Sequence, residues 1–158
     1  MTSAFAPDGL YPFEGPATTS LELIPLSVRH KLDCAEVKLH LPQWQALSVD
    51  ERALLVYRPC GSNEEIRSYR DLLNEMIDRH HAVPPTPHPL EGDEPWRELS
   101  CWPQVVIDQC RKQDVGLPSV AKWQALAEAD RHALFVLGRS KHSQAEFVAA
   151  MKLLFTAS

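Results

Sequence analysis

The side chains best suited to chemistry in this sequence are its cysteines and histidines, and their spacing matches no common metal or catalytic site. None of the four cysteines forms a C-x-x-C pair; they are Cys34, Cys60, Cys101 and Cys110. His80, His81 and His88 lie close together but do not follow a zinc-ligand spacing. We therefore predict four reduced thiols, no metal site and no cofactor.

Cys60 is the one thiol whose position could make it reactive. It follows Pro59 and precedes a predicted helix, and a helix N-terminus can lower the pKa of a nearby thiol. The alternative, which we favour, is an ordinary loop cysteine. The sequence has no G-x-S-x-G or H-E-x-x-H motif and no glycine-rich phosphate loop. It therefore predicts no catalytic residues and a protein that is not an enzyme.

Composition and charge limit the functional classes. Hydrophobic residues make up 44% of the 158 residues, which suits a folded protein with a sizeable core. The formal net charge of −5 disfavours nucleic-acid binding, including by tandem helix-turn-helix motifs, because no basic stripe is present to contact phosphates. Because no long apolar run occurs and residues 1–10 lack a signal-peptide pattern, we expect no membrane span and a cytoplasmic location.

One stretch of the sequence occurs twice. Residues 25–58 align with residues 103–137, and the tetrapeptide W-Q-A-L stands at 44–47 in the first copy and at 123–126 in the second. Matching residues flank the tetrapeptide on both sides. We interpret the match as an internal duplication that produced two similar units.

The residues that the two copies share predict a buried core in each unit. Each tryptophan lies three residues before a leucine, a spacing that places both side chains on one face of a helix. An exposed pair of tryptophans could instead form a binding surface, because Trp is frequent at interface hot spots. We favour the core interpretation. The predicted core residues are Leu32, Trp44, Leu47, Leu55, Trp123, Leu126 and Leu134.

Local start and stop signals predict the helices. Capping boxes at 48–51 and 62–65 should each begin a helix. The helix after the first box should bury Leu54, Leu55 and Tyr57, and Pro59 should end it. In the second copy the matched helix should end at Gly138.

The predicted fold class is all-α, with almost no strand. A long amphipathic helix over 62–81 closes the first unit, and a matching helix closes the second, so each unit holds about four helices. Five prolines indicate a stiff, extended linker between the units, held to the body by Trp96 and Leu99. We predict one compact domain overall. Its parts are an irregular N-terminal arm at 1–20 anchored by Tyr11 and Phe13, a first helical unit at 21–81, the linker at 82–100, and a second helical unit at 101–158.

Arg52 and Arg131 stand at matching positions, each eight residues after a tryptophan of the repeat. Repeated arginines often bridge helix ends or carboxylates. The alternative is that they contact a partner.

With these features the sequence resembles the conserved nitrate reductase-associated proteins of bacteria, including cyanobacteria. The resemblance covers about residues 11–155. The segments that carry it are 20–25, 28–33, 37–39, 44–47, 51–52, 59–60, 65–66 with Tyr69, and 131–134 with Arg139, His142 and Phe147.

The resemblance implies an accessory protein of the assimilatory, molybdenum-dependent nitrate reductase. Such a protein supports the activity or maturation of that enzyme by protein–protein binding and is not itself an oxidoreductase. The partner would be the reductase or its maturation factors. A different class remains as the alternative: a small-molecule or metal-binding protein with a site between the two helical units. The candidate partner contacts are Arg29, Lys31, Arg52, Arg131, Arg139 and His142.

Overall fold

The described part of the chain is mostly helical, which confirms the prediction of a mainly α-helical fold. A computed structural model describes residues 9–156. A short antiparallel sheet joins β1 (Val37–Lys38) and β2 (Thr86–Pro87). The helices are α1 (Pro16–Thr19), α2 (Leu26–Cys34), α3 (Leu41–Ala46), α4 (Val49–Tyr57), α5 (Asn63–Arg79), α6 (Gln104–Lys112), α7 (Val120–Ala125), α8 (Glu128–Arg139) and α9 (Gln144–Thr156).

The chain divides into two compact units. The N-terminal unit contains residues 14–90 together with residues 9–10, and therefore holds α1 to α5 and both strands. The C-terminal unit contains residues 91–156 together with residues 11–13, and holds α6 to α9. The short helix α1 lies in the predicted irregular arm, whose first eight residues are outside the described part of the chain.

Two capping boxes begin α4 and α5, as predicted. The backbone N–H of Glu51 donates to Ser48 Oγ at 3.1 Å, and the N–H of Ser48 donates to Glu51 Oε1 at 2.8 Å. The equivalent bonds join Glu65 and Ser62 at 3.1 and 3.0 Å. Each pair of reciprocal bonds satisfies backbone donors that have no acceptor within the helix.

Apolar side chains at helical spacing on α5 build the core of the N-terminal unit. Tyr69, Leu73, Met76 and Ile77 are buried, and α5 packs against α4, which in turn packs against α2. The Tyr69 hydroxyl donates to the Leu55 carbonyl at 2.8 Å, so this buried polar group is satisfied. The predicted amphipathic stripe of this helix is confirmed.

The outer face of α4 departs from prediction. Leu54 is 49% exposed and Tyr57 is 60% exposed, whereas Leu55 and Val56 are buried. Because α4 packs on α2 and α5 with the face that carries Leu55 and Val56, the prediction that Leu54 and Tyr57 are buried is wrong.

The small sheet was also unexpected. In the antiparallel pair, Val37 lies opposite Pro87. The Leu90 N–H donates to a carboxylate oxygen of Glu36 at 2.9 Å, so a further contact follows the strand. The first part of the predicted linker is therefore bound along the N-terminal unit.

Helix α8 is the central element of the C-terminal unit. It packs against both α6 and α9, and its buried residues include Leu134 and Leu137. Tyr11 adds to this core from the N-terminal segment, and its hydroxyl donates to Asp130 Oδ1 at 2.6 Å. Phe13 stacks on the Tyr11 ring at a centroid distance of 4.9 Å. Tyr11 therefore anchors its segment, as predicted.

Gly138 lies inside α8, so the prediction that it ends the helix is wrong. The helix continues to Arg139. A Cβ at Gly138 would lie 3.3 Å from Val106 Cγ2 and 3.5 Å from the backbone of Val105, both on α6. The absence of a side chain at Gly138 therefore allows α6 to pack closely against α8.

Candidate functional site

Both tryptophans of the repeated tetrapeptide lie in the interior of their units. Trp44 and Trp123 are each 0% exposed. The Trp44 indole N–H donates to the Leu21 carbonyl, and the Trp123 indole N–H donates to the Glu98 carbonyl, both at 2.8 Å. Each indole fills core space and holds the segment that leads towards α2 or α6. Neither ring is accessible to a partner.

Arg52 binds backbone carbonyls within the N-terminal unit. Its guanidinium group donates to Trp44 O at 3.1 Å, to Leu21 O at 3.1 Å and to Gln45 O at 2.8 Å. Trp44 and Gln45 belong to the last turn of α3, where carbonyls have no donor within the helix. Arg52 therefore caps α3 and also holds the segment at Leu21.

Arg131 has a similar environment in the C-terminal unit. It is 9% exposed and donates to the Trp96 carbonyl at 3.0 Å and to the Leu126 carbonyl. Leu126 is the C-cap of α7, so the matching arginine caps the matching helix. These contacts give both arginines a structural role, and we leave them out of the proposed partner surface.

The remaining predicted core residues differ in burial. Leu32, Leu47, Leu55 and Leu134 are buried. Leu126 is half-buried because it lies beyond the last turn of α7.

The two residues predicted to anchor the linker also differ in burial. Trp96 is buried, and its ring lies edge-on to His132 at a centroid distance of 4.9 Å. Leu99 is 43% exposed, so the prediction that it holds the linker in place is wrong.

Lys31 and Cys60 lie near each other in the N-terminal unit. Lys31 Nζ donates to the Val56 carbonyl at 2.5 Å, and the Cys60 thiol donates to the Lys31 carbonyl at 3.6 Å. Burial lowers the pKa of Lys31, which the nearby Cys60 opposes. Burial raises the pKa of Cys60 to about 11, against the influence of Lys31. Because the thiol is buried and its pKa is raised, the structure favours the ordinary cysteine over a thiol activated by the helix N-terminus.

Three of the predicted partner contacts are exposed. Arg29 lies on α2, and Arg139 ends α8 with its guanidinium group 5.0 Å from the centre of the Phe135 ring. His142 follows α8, and its backbone N–H donates to Ser140 Oγ at 3.3 Å.

Glu51 gathers an ion cluster that the sequence analysis missed. Its carboxylate is 9% exposed and lies 2.9 Å from Arg79 Nη1 and 2.5 Å from His80 Nε2. Burial alone would raise the pKa of Glu51, but hydrogen bonds from Ser48 and His80 outweigh it and lower the pKa. The capping box identified Glu51, but no local signal linked it to the end of α5.

An open depression beside α4 and α5 was also missed. Arg58 Nη2 lies 3.5 Å from Ser68 Oγ across it. The side chains that line it are Arg58, Glu64, Arg67, Ser68, Asp71, Leu72 and Glu75. On α4, Leu54 lies four residues before Arg58, and Tyr57 lies directly before it.

Comparison with known proteins decides the family. The family model described as conserved nitrate reductase-associated protein matches residues 10–154. The chain belongs to this family. The match extends through both units, and it confirms the resemblance drawn from the sequence segments. No curated protein and no solved structure matches the chain.

No helix between residues 9 and 156 combines the length and the apolar character needed to cross a bilayer.

Proposed function

We propose that this family member is a non-catalytic accessory protein of the assimilatory, molybdenum-dependent nitrate reductase. It supports the activity or maturation of the enzyme by binding the reductase or a maturation factor. The observation that carries the proposal is the family match over residues 10–154, because association with nitrate reductase is the property by which the family is described.

The reactive groups in the N-terminal unit support a role in binding over a role in chemistry. Cys60, with a pKa of about 11, is protonated near neutral pH. The Tyr69 hydroxyl is held by the Leu55 carbonyl, and burial raises its pKa well above the usual value. Neither group is suited to act as a nucleophile or base at neutral pH.

We further infer that the two units derive from one ancestral unit. The order α2 to α5 repeats as α6 to α9, and the repeated Trp and Arg residues donate to equivalent backbone segments. Glu36 and Asp114, at matching positions, adopt positive φ of 58° and 54° after α2 and α6. An experimental structure with unrelated helix crossing angles in the two units would contradict the duplication.

The exposed residues Arg29, Arg139 and His142 are proposed partner contacts. Exposed arginines pair bidentately with carboxylates of a partner and are frequent at binding hot spots.

Deletion of the gene tests the accessory role. We expect extracts of nitrate-grown deletion cells to lose nitrate reductase activity, with growth on ammonium unchanged. An immunoblot of the reductase separates the two forms of support. An unchanged amount of reductase with lower activity indicates activation or cofactor maturation, whereas a smaller amount of reductase indicates stabilisation. Full activity in the deletion strain would refute the proposal.

Complementation tests the proposed contacts. The wild-type chain should restore activity, and Arg29→Glu/Arg139→Glu should restore less. Arg111→Glu/Lys112→Glu is a matched control, because both side chains are exposed on α6 and the change in charge is identical. Equal complementation by the two double variants would remove Arg29 and Arg139 from the proposed contacts.

A further inference from the structure

The turn between α8 and α9 concentrates basic side chains. Arg139, Lys141 and His142 are all exposed there. No aspartate or glutamate occurs in the sequence between Asp130 and Glu146. Because the whole chain has a formal net charge of −5, this turn differs in sign from the rest of the protein. We define the basic turn as Arg139, Lys141 and His142.

The two permanent charges of the basic turn are not neutralised by the described part of the chain. Neither Arg139 nor Lys141 forms an ion pair with a carboxylate among residues 9–156. By contrast, Arg97 of the same unit lies 3.1 Å from a carboxylate oxygen of Glu128. A carboxylate of another molecule therefore competes with no internal carboxylate for Arg139 or Lys141.

Contacts within the turn hold its backbone and one of its cations in place. The Arg139 guanidinium group lies 5.0 Å from the centre of the Phe135 ring, a cation–π contact. Ser140 Oγ lies 2.9 Å from Ser143 Oγ and accepts from the His142 N–H at 3.3 Å. A planar guanidinium group combines contact with an aromatic ring and bidentate bonds to a carboxylate. Order that exists before binding lowers the entropy cost of association.

The contrast between the turn and the whole chain decides which anionic ligand fits. A nucleic acid or an anionic membrane presents a long, continuous negative surface, and the net negative charge of the remaining chain would repel it. A short anionic segment can contact the basic turn alone. A protein segment with neighbouring Asp or Glu residues has this form, and its charge is complementary to that of the turn.

We infer that the basic turn is the docking site for an acidic segment of the partner protein. One carboxylate of the segment binds the Arg139 guanidinium group bidentately, and a neighbouring carboxylate binds Lys141 Nζ. The His142 ring supplies a further hydrogen-bond donor beside them. This inference rests on the proposed function, since it names the surface and the chemistry by which the accessory protein holds its partner.

Binding of purified nitrate reductase to the immobilised full-length chain tests the surface. Arg139→Glu/Lys141→Glu should weaken binding by at least about tenfold, and added salt should weaken binding of the wild type. Arg111→Glu/Lys112→Glu, which makes the same change in charge on exposed residues of α6, should bind as the wild type does. Circular dichroism and thermal melting establish that each variant is folded.

A zero-length crosslink tests the chemistry of the bound segment. A carbodiimide joins the Lys141 amine to a contacting carboxylate through an amide bond, and mass spectrometry identifies the crosslinked reductase peptide. We expect a peptide with two or more Asp or Glu residues within about four residues of one another. Lys141→Arg keeps the charge and removes the amine, so this variant should bind but give no crosslink at position 141. A crosslinked peptide with a single isolated carboxylate would overturn the inference.

The outcomes separate the two proposals. If the wild type binds and Arg139→Glu/Lys141→Glu binds equally well, the docking inference fails and the accessory function stands. If the wild type binds neither the cofactor-loaded nor the cofactor-free reductase, the proposed binding function fails and the docking inference fails with it.

Other anionic ligands are tested with the same variant. The full chain is mixed with duplex DNA and, separately, with vesicles of phosphatidylglycerol and phosphatidylcholine, and we expect neither to bind. Binding of either one that Arg139→Glu/Lys141→Glu abolishes, with binding of the reductase unchanged, would assign the turn to a different class of partner and overturn the inference.

Discussion

A buried arginine is costly unless its guanidinium group finds several acceptors, because desolvation of a charge is expensive. Arg131 meets this condition with the carbonyls of Trp96 and Leu126, and Arg52 does so with three carbonyls. In each case the arginine donates to carbonyls at a helix C-terminus, which have no donor within the helix. The guanidinium fork, with several donors in one plane, suits this task better than an ammonium group.

Removal of Arg131 should destabilise the protein. Arg131→Ala leaves the carbonyls of Trp96 and Leu126 without these donors, so we expect the free energy of unfolding to fall by about 2–4 kcal/mol. Arg131→Lys should recover only part of the loss. Urea denaturation measures the effect, with exposed Arg111→Ala as the control. Equal stability of the Arg131→Ala and Arg111→Ala variants would contradict the structural role.

Thiol reactivity should follow burial. Cys101 is exposed, whereas Cys34, Cys60 and Cys110 are buried. Burial raises the pKa of Cys60 to about 11 and also raises the pKa of Cys110. Because the thiolate is the reactive form, we expect one thiol to react rapidly with a disulfide reagent in the native protein.

Substitution identifies the reactive thiol. Cys101→Ser should abolish the rapid phase, and Cys60→Ser should leave it unchanged. Rapid reaction of a second thiol before unfolding would show that the burial assigned to the other cysteines is incorrect.

At the scale of elements, Glu51 joins two helices. It lies in the first turn of α4, where a negative charge is favoured, and contacts Arg79 and His80 at the end of α5, where cations are favoured. The cluster therefore satisfies both helix ends at once.

The stability contributed by Glu51 should depend on pH. The folded-state pKa lies below the unfolded value of about 4.3, so the carboxylate stabilises the fold above that pH and loses its contribution as the pH falls through the folded-state pKa. Glu51→Gln should lower the free energy of unfolding by about 1–3 kcal/mol at pH 7. The difference from wild type should shrink in acid.

Urea denaturation across the acid range measures this dependence. Exposed Glu64, in the first turn of α5, provides the matched control through Glu64→Gln, which should show a much smaller difference at neutral pH. A Glu51→Gln difference that stays constant from neutral to strongly acid pH would contradict the account of the cluster.

Local sequence signals predicted where helices begin better than they predicted which face of a helix is buried. The capping boxes of α4 and α5 involve residues three apart, and the structure confirms both. Whether Leu54 and Tyr57 are buried depends on which helices pack against α4. The sequence of one short helix does not specify these packing partners. Gly138 was misjudged for the same reason, because its function depends on the approach of α6.

The candidate site was less predictable than the fold. Arg52 and Arg131 could be identified from the repeat, but their acceptor carbonyls depend on tertiary packing. Cys60 illustrates the competition between two effects: proximity to a helix start favours a lower pKa, and burial, which the sequence does not show, raises it. The pairing of β1 with β2 joins distant segments and left no local pattern.

At the scale of the whole molecule, the repeated tryptophan and arginine of each unit bind backbone carbonyls of that same unit. The partner contacts proposed above are instead exposed residues, such as Arg139 and His142. The proposed accessory role therefore assigns the buried residues to maintaining the fold and the exposed residues to recognising the enzyme.

Direct binding tests the central claim. The purified full-length chain is titrated against purified assimilatory nitrate reductase, in cofactor-loaded and cofactor-free forms, by biolayer interferometry. We expect saturable binding to at least one form with a Kd of about 1 μM or tighter. No saturable binding to either form at concentrations up to about 100 μM, equivalent to a free energy weaker than about −5.5 kcal/mol, would contradict a binding-based support of the reductase.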